Sequence, residues 1–215
     1  VGALRDHLSG EAETMRSSVV EPFLALSKHF EGDLPFLYLD RRNLVTCGIG
    51  CLVDPASLAL ALAWVDVASA EPVESAVVLA AWQAVKARDD LAPKGGAAFA
   101  SVTTIRLTPA SVDALFRERM RAADTLLAKR FACWEVSPAS AQAATLSMAY
   151  AMGEGRLDEF PKFCAAFRLQ DWATCALECE MDARADANLA QRNKANQQLF
   201  AACLDGTDVN TVAWP

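Results

Sequence analysis

The chain has 215 residues, of which 53% are hydrophobic and 22% charged, with a formal net charge of −7; this excludes a disordered or fibrous polymer and predicts one globular domain with two lobes. An anionic chain lacks the clustered Lys and Arg that release counterions, which excludes nucleic acid and an anionic membrane surface as main partners. The longest apolar run, Ala56 to Val65, is about half of what a bilayer crossing needs, so no membrane span is expected.

At the N-terminus, Leu4, Leu8, Met15 and Val19 share one face of a predicted amphipathic helix over 1–21. The same stretch carries Asp6, Glu11, Glu13 and Glu21 where a signal peptide would be basic and then apolar. A leader is therefore not expected, and the chain reads as a piece of something longer. Glu21-Pro22 is the first of several X-Pro steps, each predicted to open a helix with proline in its first turn. That helix carries Phe23, Leu26 and Phe30. Pro35 to Ile49 breaks the helical period: Phe36, Tyr38, Leu44, Val45, Thr46 and Ile49 flank the polar trio Arg41-Arg42-Asn43, which fits a hairpin with Asn43 at positive φ.

Asp54-Pro55 is predicted to open a helix through Leu58, Leu62 and Val65, and Glu71-Pro72 one through Val73, Val77 and Leu79. Residues 90–107, with Gly95-Gly96, read as a surface loop or a minor extended element. Thr108-Pro109 and Ser137-Pro138 open two more helices, the first carrying a mixed-charge face from Arg117 to Arg130 that is solvated rather than a binding patch. Two last helices follow Trp172, Cys175 and Cys179, and Leu189, Asn196, Leu199 and Phe200, the second ending near Gly206. The fold class is thus α+β and predominantly helical.

Seven cysteines, odd in number and unevenly spaced, argue against a disulfide framework and for synthesis in a reducing compartment. Cys47/Cys51 and Cys175/Cys179 are each four apart, yet only His7 and His29 could complete a zinc site. They read as buried small hydrophobes, and no metal or cofactor is expected.

The candidate chemistry sits where the first helix meets the hairpin. Glu31 stands at the helix end with Gly32 placed to stop it. A carboxyl at the negative end of a helix dipole, beside Phe30 and Leu34, is favoured in the protonated form that a general acid needs. Asp40 closes the first strand nine residues on and Thr46 lies on the returning strand, so a carboxylate and a hydroxyl could share a water. Two carboxyl groups in unlike environments are what glycoside hydrolysis requires. Acid pairs near turns are also common solvated surface groups, and composition alone leaves both readings open.

The spacing Glu31, Asp40, Thr46, followed by Cys47-Gly48-Ile49-Gly50, resembles the signature of the T-even phage lysozyme family of endolysins. The resemblance continues through Leu107-Thr108-Pro109, the run Met148 to Gly155, and Phe160, Leu169, Trp172 and Arg192, and covers roughly Phe23 to Gly206. It implies a lysozyme-like fold over 22–215, with a hairpin lobe at about 32–53 and a helical lobe at about 54–206. It also implies a muramidase that cuts the β-1,4 bond between N-acetylmuramic acid and N-acetylglucosamine, with peptidoglycan glycan strands as partner and no cofactor. By the same resemblance Glu31 is the general acid, Asp40 and Thr46 hold the attacking water in an inverting course, Leu52 and Tyr150 line the substrate cleft, and Arg192 supports Glu31.

The chain departs from the family in four places. Cys51 replaces the histidine that often follows Gly-Ile-Gly, and Phe30 replaces the acidic residue that precedes the catalytic glutamate in the type member. The stretch between Cys51 and Thr108 is about twice the length found in the shortest members and is predicted to add a helix carrying Trp82; residues 1–20 lie outside the match. Neither addition is expected to reach the chemistry, and His29 and Glu154 are not expected to be catalytic. Competing readings are a lytic transglycosylase and a wall-binding module of the same fold without activity. As part of an antibacterial effector the domain would have an immunity protein or a delivery partner, and its place of action would be the periplasm or cell wall.

Overall fold

The computed structural model describes residues 17–184, 186–207 and 209. The protein is α+β and predominantly helical, and it divides into two compact units, Leu24–Met120 and Arg121–Pro215 with Val1–Phe23. Residues 54–120, assigned from sequence to the helical lobe, thus share a unit with the hairpin. The helix expected over 1–21 lies largely outside the described residues.

In the unit 24–120, the end of helix α1 (Ser17–Glu31) feeds a three-stranded antiparallel sheet of β1 (Leu34–Leu39), β2 (Val45–Gly48) and β3 (Cys51–Leu52), in that order. Helix α1 does not open at Pro22, which lies inside it and removes one donor from its hydrogen-bond ladder. Tyr38 pairs with Thr46 and Leu39 with Val45 across β1 and β2, and Thr46 pairs with Leu52 across β2 and β3. Alternation puts Tyr38, Thr46 and Leu52 on one face and Leu39, Val45, Cys47 and Cys51 on the other. Asn43 takes φ 56 in the hairpin turn, as its residue type suggested.

The next segment contains α2 (Ala56–Leu60), β4 (Trp64–Asp66), α3 (Ser75–Lys86), two 3₁₀ turns (Asp89–Lys94 and Gly96–Phe99), β5 (Ile105–Leu107) and the start of α4 (Pro109–Arg130). Val65, expected on a helix with Leu58 and Leu62, lies instead on β4, which pairs antiparallel with β5. The chain leaves the helix because Trp64 is buried and its indole N–H donates to the Ala59 carbonyl at 2.8 Å. Helix α3 opens at Ser75 rather than Pro72, since Pro72 bridges Val65 beside β4. Helix α4 opens as expected, with Thr108 Oγ1 accepting the Ser111 amide at 3.1 Å.

The other unit is built from the rest of α4, α5 (Ala139–Met152), α6 (Pro161–Arg168), α7 (Trp172–Glu178) and α8 (Ala187–Asp205). Ser140 to Ala149 of α5 are all buried, the mark of a central helix covered on every side. Around Phe167 gather Phe131, Trp172, Trp134 and Phe163, with ring centroids at 4.4, 5.3, 5.8 and 6.0 Å. Asp171 caps α7 by accepting the Thr174 amide at 3.1 Å, and Asp186 caps α8 through the Asn188 and Leu189 amides. Gly206 ends α8 in the left-handed region. Helix α6 was not anticipated.

All seven cysteines are free thiols, and Cys47, Cys51, Cys164, Cys175 and Cys179 are buried, as their reading as small hydrophobes requires. Burial pushes the Cys175 and Cys179 thiols up to about 12 each, which leaves them unreactive at neutral pH. Among the described residues, no helix is long and apolar enough to cross a membrane.

Candidate active site

Glu31 is the last residue of α1. The helix stops there because Gly32 enters the left-handed region at φ 76 while its amide still donates to the Lys28 carbonyl at 3.1 Å. The Glu31 side chain then lies against Gly50 in the β2–β3 turn. A Cβ added at Gly50 would sit 2.9 Å from Glu31 Oε2 and 3.1 Å from its Cγ and Cδ. Gly50 also has φ 65, so this position needs glycine both for its backbone and for the room it leaves the carboxyl group.

Asp40 directly follows β1 and organises the turn there. Its Oδ1 accepts the amides of Arg42 and Leu44, both at 2.8 Å, while its own amide and carbonyl bond to Leu44 and Asn43. Among the described residues its Oδ2 has no hydrogen-bond partner. Asp40 is therefore held rigidly by one oxygen, with the second open to a ligand. Thr46 is 4% exposed, and its hydroxyl donates to the Leu44 carbonyl at 3.2 Å. Using the proton there leaves the oxygen lone pairs of Thr46 as acceptors.

Tyr38 completes this face, and sequence reasoning did not single it out. It lies directly opposite Thr46, is 7% exposed, and feels the negative charge of both Glu31 and Asp40. Burial first, and then these neighbours with Cys47 and Cys51, push its phenol well above the ordinary tyrosine value. The signal available in the sequence was the period of two that sets Tyr38 on the same strand face as Asp40.

Glu31, Asp40, Thr46 and Leu52 belong to one unit. Leu52 is 40% exposed beside Thr46, and its carbonyl accepts from Arg119 at 3.1 Å. Cys51, where a histidine was noted as common, is buried and its thiol reaches the Ile49 carbonyl at 3.7 Å. His29 is exposed and meets Phe30 edge-on. Tyr150 and Arg192 belong to the other unit. There Tyr150 contacts Phe23 edge-on at 6.0 Å, and Arg192, 3% exposed on α8, donates to the Ser147 carbonyl at 3.3 Å.

The segment between Cys51 and Thr108 packs on the hairpin. Trp82 on α3 donates its indole N–H to the Val53 carbonyl at 2.9 Å, and Lys86 donates to the Asn43 carbonyl at 2.7 Å and to Asp54 at 2.6 Å. Gly96 packs on Leu34 and Tyr38 of β1. A cavity of about 300 Å³ among Phe160, Phe163, Leu177 and Glu178 contains none of the predicted site residues. No protein-family model matches the sequence, and no curated protein matches it.

Proposed function

We propose that the chain is a peptidoglycan hydrolase, a muramidase similar to the T-even phage lysozymes, with Glu31 as general acid and Asp40 with Thr46 as the group that holds and activates water. The observation that carries this reading is the division of labour at Asp40: two turn amides fix one carboxylate oxygen and leave the other without a hydrogen bond among the described residues, while the Thr46 hydroxyl donates to the carbonyl of Leu44, the residue whose amide Asp40 holds. A water held there would lose its proton to Asp40 as it attacks the anomeric carbon, while Glu31 gives its proton to the leaving glycosidic oxygen. The glycine at 50 leaves the space that the Glu31 carboxyl occupies. Leu52, partly exposed on the same face, supplies an apolar surface for a sugar ring. Tyr150 as a second cleft residue and Arg192 as a support for Glu31 rest on the resemblance alone.

In this reading the glycan strands of the wall are the substrate, and the domain works in the periplasm or cell wall, in bacterial lysis or in killing between bacteria. In the second role an immunity protein and a delivery partner belong to its biology. The test is digestion of purified peptidoglycan by the wild type and Glu31→Gln, with products read by mass spectrometry. Expected are reducing-end disaccharide peptides from the wild type, released as the α-anomer, and a rate lower by about 10²- to 10⁴-fold in the variant. Anhydro-muramyl products would assign a lytic transglycosylase, which needs no positioned water. No product from either protein would favour a wall-binding module.

A further inference from the structure

We propose that Cys47 and Cys51 are a modification site: when the chain folds in an oxidising compartment they close a cross-strand disulfide behind the turn that seats Glu31. This rests on the hydrolase reading for the compartment, because a wall hydrolase works in the periplasm or cell wall, where disulfides form and persist. The bond itself can be tested without a substrate.

The two residues face each other directly, Cys47 on β2 and Cys51 on β3. Opposed residues of an antiparallel pair have Cα atoms about 4.5 or about 5.5 Å apart, according to their hydrogen-bond type, and both separations lie within the range of about 4.4–6.8 Å that a disulfide spans. Between the two runs the turn Gly48-Ile49-Gly50, with φ 61 and 65 at its glycines, and Gly50 is the glycine against which the Glu31 carboxyl lies. Alternation puts both thiols on the face away from Thr46 and Leu52, so the bond closes the turn from behind without entering the site. Both side chains are already in the core, 0% and 2% exposed, and joining their sulfurs removes two hydrogens and adds no volume.

Burial decides when the bond can form. In the folded chain Cys47 is held well above the ordinary thiol value, by burial first and then by Cys51, and a protonated, enclosed thiol does not attack. In the unfolded chain both thiols are in water with three residues between them, so they meet readily. One thiolate then attacks an oxidant disulfide, carried by a protein or a small molecule, to give a mixed disulfide and release one thiolate of the oxidant. The second cysteine thiolate attacks the sulfur of the first, which forms the Cys47–Cys51 bond and releases the oxidant's other thiolate. The two cysteines lose two protons and two electrons, and the oxidant disulfide ends as two thiols. A chain folded in a reducing compartment instead keeps two sealed thiols.

The chemical test refolds the whole chain from urea in a buffer of oxidised and reduced glutathione, blocks the remaining thiols with iodoacetamide in denaturant, and reads the tryptic peptide from Asn43 to Lys86 by mass spectrometry. That peptide holds these two cysteines and no others. Expected is a peptide lighter by two hydrogens with neither cysteine alkylated. The same chain folded with reductant and then moved to the glutathione buffer should keep both thiols and give the doubly alkylated peptide. A doubly alkylated peptide after oxidative refolding, a bond from either cysteine to another partner, or equal pairing in the pre-folded chain would overturn the proposal.

The second measurement reads what the bond does. The oxidised wild type should melt about 4–8 °C above the reduced form, as closing so short a loop in a chain of this length implies, and should still digest peptidoglycan at a temperature where the reduced form has lost its activity. Cys51→Ala, which has no second thiol to pair with Cys47, should melt alike in both buffers; a shift that this variant retains in full would belong to other cysteines and overturn the proposal. If the bond forms but neither form releases glycan product, the pairing stands and the hydrolase reading falls. If product appears and the bond does not form, the hydrolase reading stands and the pairing falls.

Discussion

In the helical unit, Phe167 meets four other aromatic rings within 6.0 Å, and α5 is buried along ten consecutive residues. The hairpin in the other unit is organised by far fewer atoms: one oxygen of Asp40 bonded to two turn amides, and positive φ at Asn43, Gly48 and Gly50. The ring cluster draws its stability from area and close packing, which many contacts share. The hairpin depends on geometry at single positions. A substitution in the first should therefore cost stability, and one in the second should cost chemistry.

The largest loss of stability is expected from Phe167→Ala, about 3–5 kcal/mol from lost burial and the cavity left behind. It would be read from the shift in the urea midpoint at constant slope. A loss below about 1 kcal/mol would show that the rings carry little of the unit's stability, and the comparison would fail on its first side.

Two glycines sharpen the second side. Gly50 and Gly153 both have positive φ, at 65 and 92, so alanine at either should cost about 1–3 kcal/mol of backbone strain. An added Cβ meets nothing within 4 Å at Gly153, whereas at Gly50 it meets Glu31 Oε2 at 2.9 Å. We expect similar losses in thermal stability, with peptidoglycan digestion abolished only by Gly50→Ala. Equal residual activity in the two variants would mean that the Glu31–Gly50 contact does not serve the chemistry.

The same contrast explains what was legible in the sequence. Glu31, Asp40, Thr46 and Gly50 fall within one stretch from helix end to second turn, so spacing alone could gather them. Helix α4 was equally local, opened by Thr108 and Pro109. Val65 was misread because its strand partner, Arg106 on β5, is remote in sequence, and no local period reports such pairing. Helix α6 was missed because Phe160 before Pro161 has no capping side chain to mark the start. Tyr38 was visible as a strand residue, but its contact with Gly96 joins two segments that no spacing rule connects.

Asp54 provides the smallest and most specific test. Its Oδ2 accepts from the Val45 amide at 3.1 Å and from Lys86 at 2.6 Å, and Lys86 also holds the Asn43 carbonyl in the turn after Asp40. Partial burial alone would raise the Asp54 carboxyl, but the bonds from Lys86 and Val45 outweigh it and hold the group below its ordinary value of 3.8. A carboxyl depressed on folding stabilises the protein above its unfolded-state value, and that contribution is lost as pH falls through the lower folded value. Lys86 is 38% exposed, so solvent screening limits the expected cost of Asp54→Asn to about 1 kcal/mol at pH 7. That deficit should shrink below pH 4, where the wild-type carboxylate takes up its proton and the two chains become alike. The Phe167→Ala deficit involves no titrating group and should be the same at both pH values. Should the Asp54→Asn deficit persist undiminished at pH 2.5, the clip would owe its strength to shape rather than charge, and the hairpin would be held in the same way as the helical core.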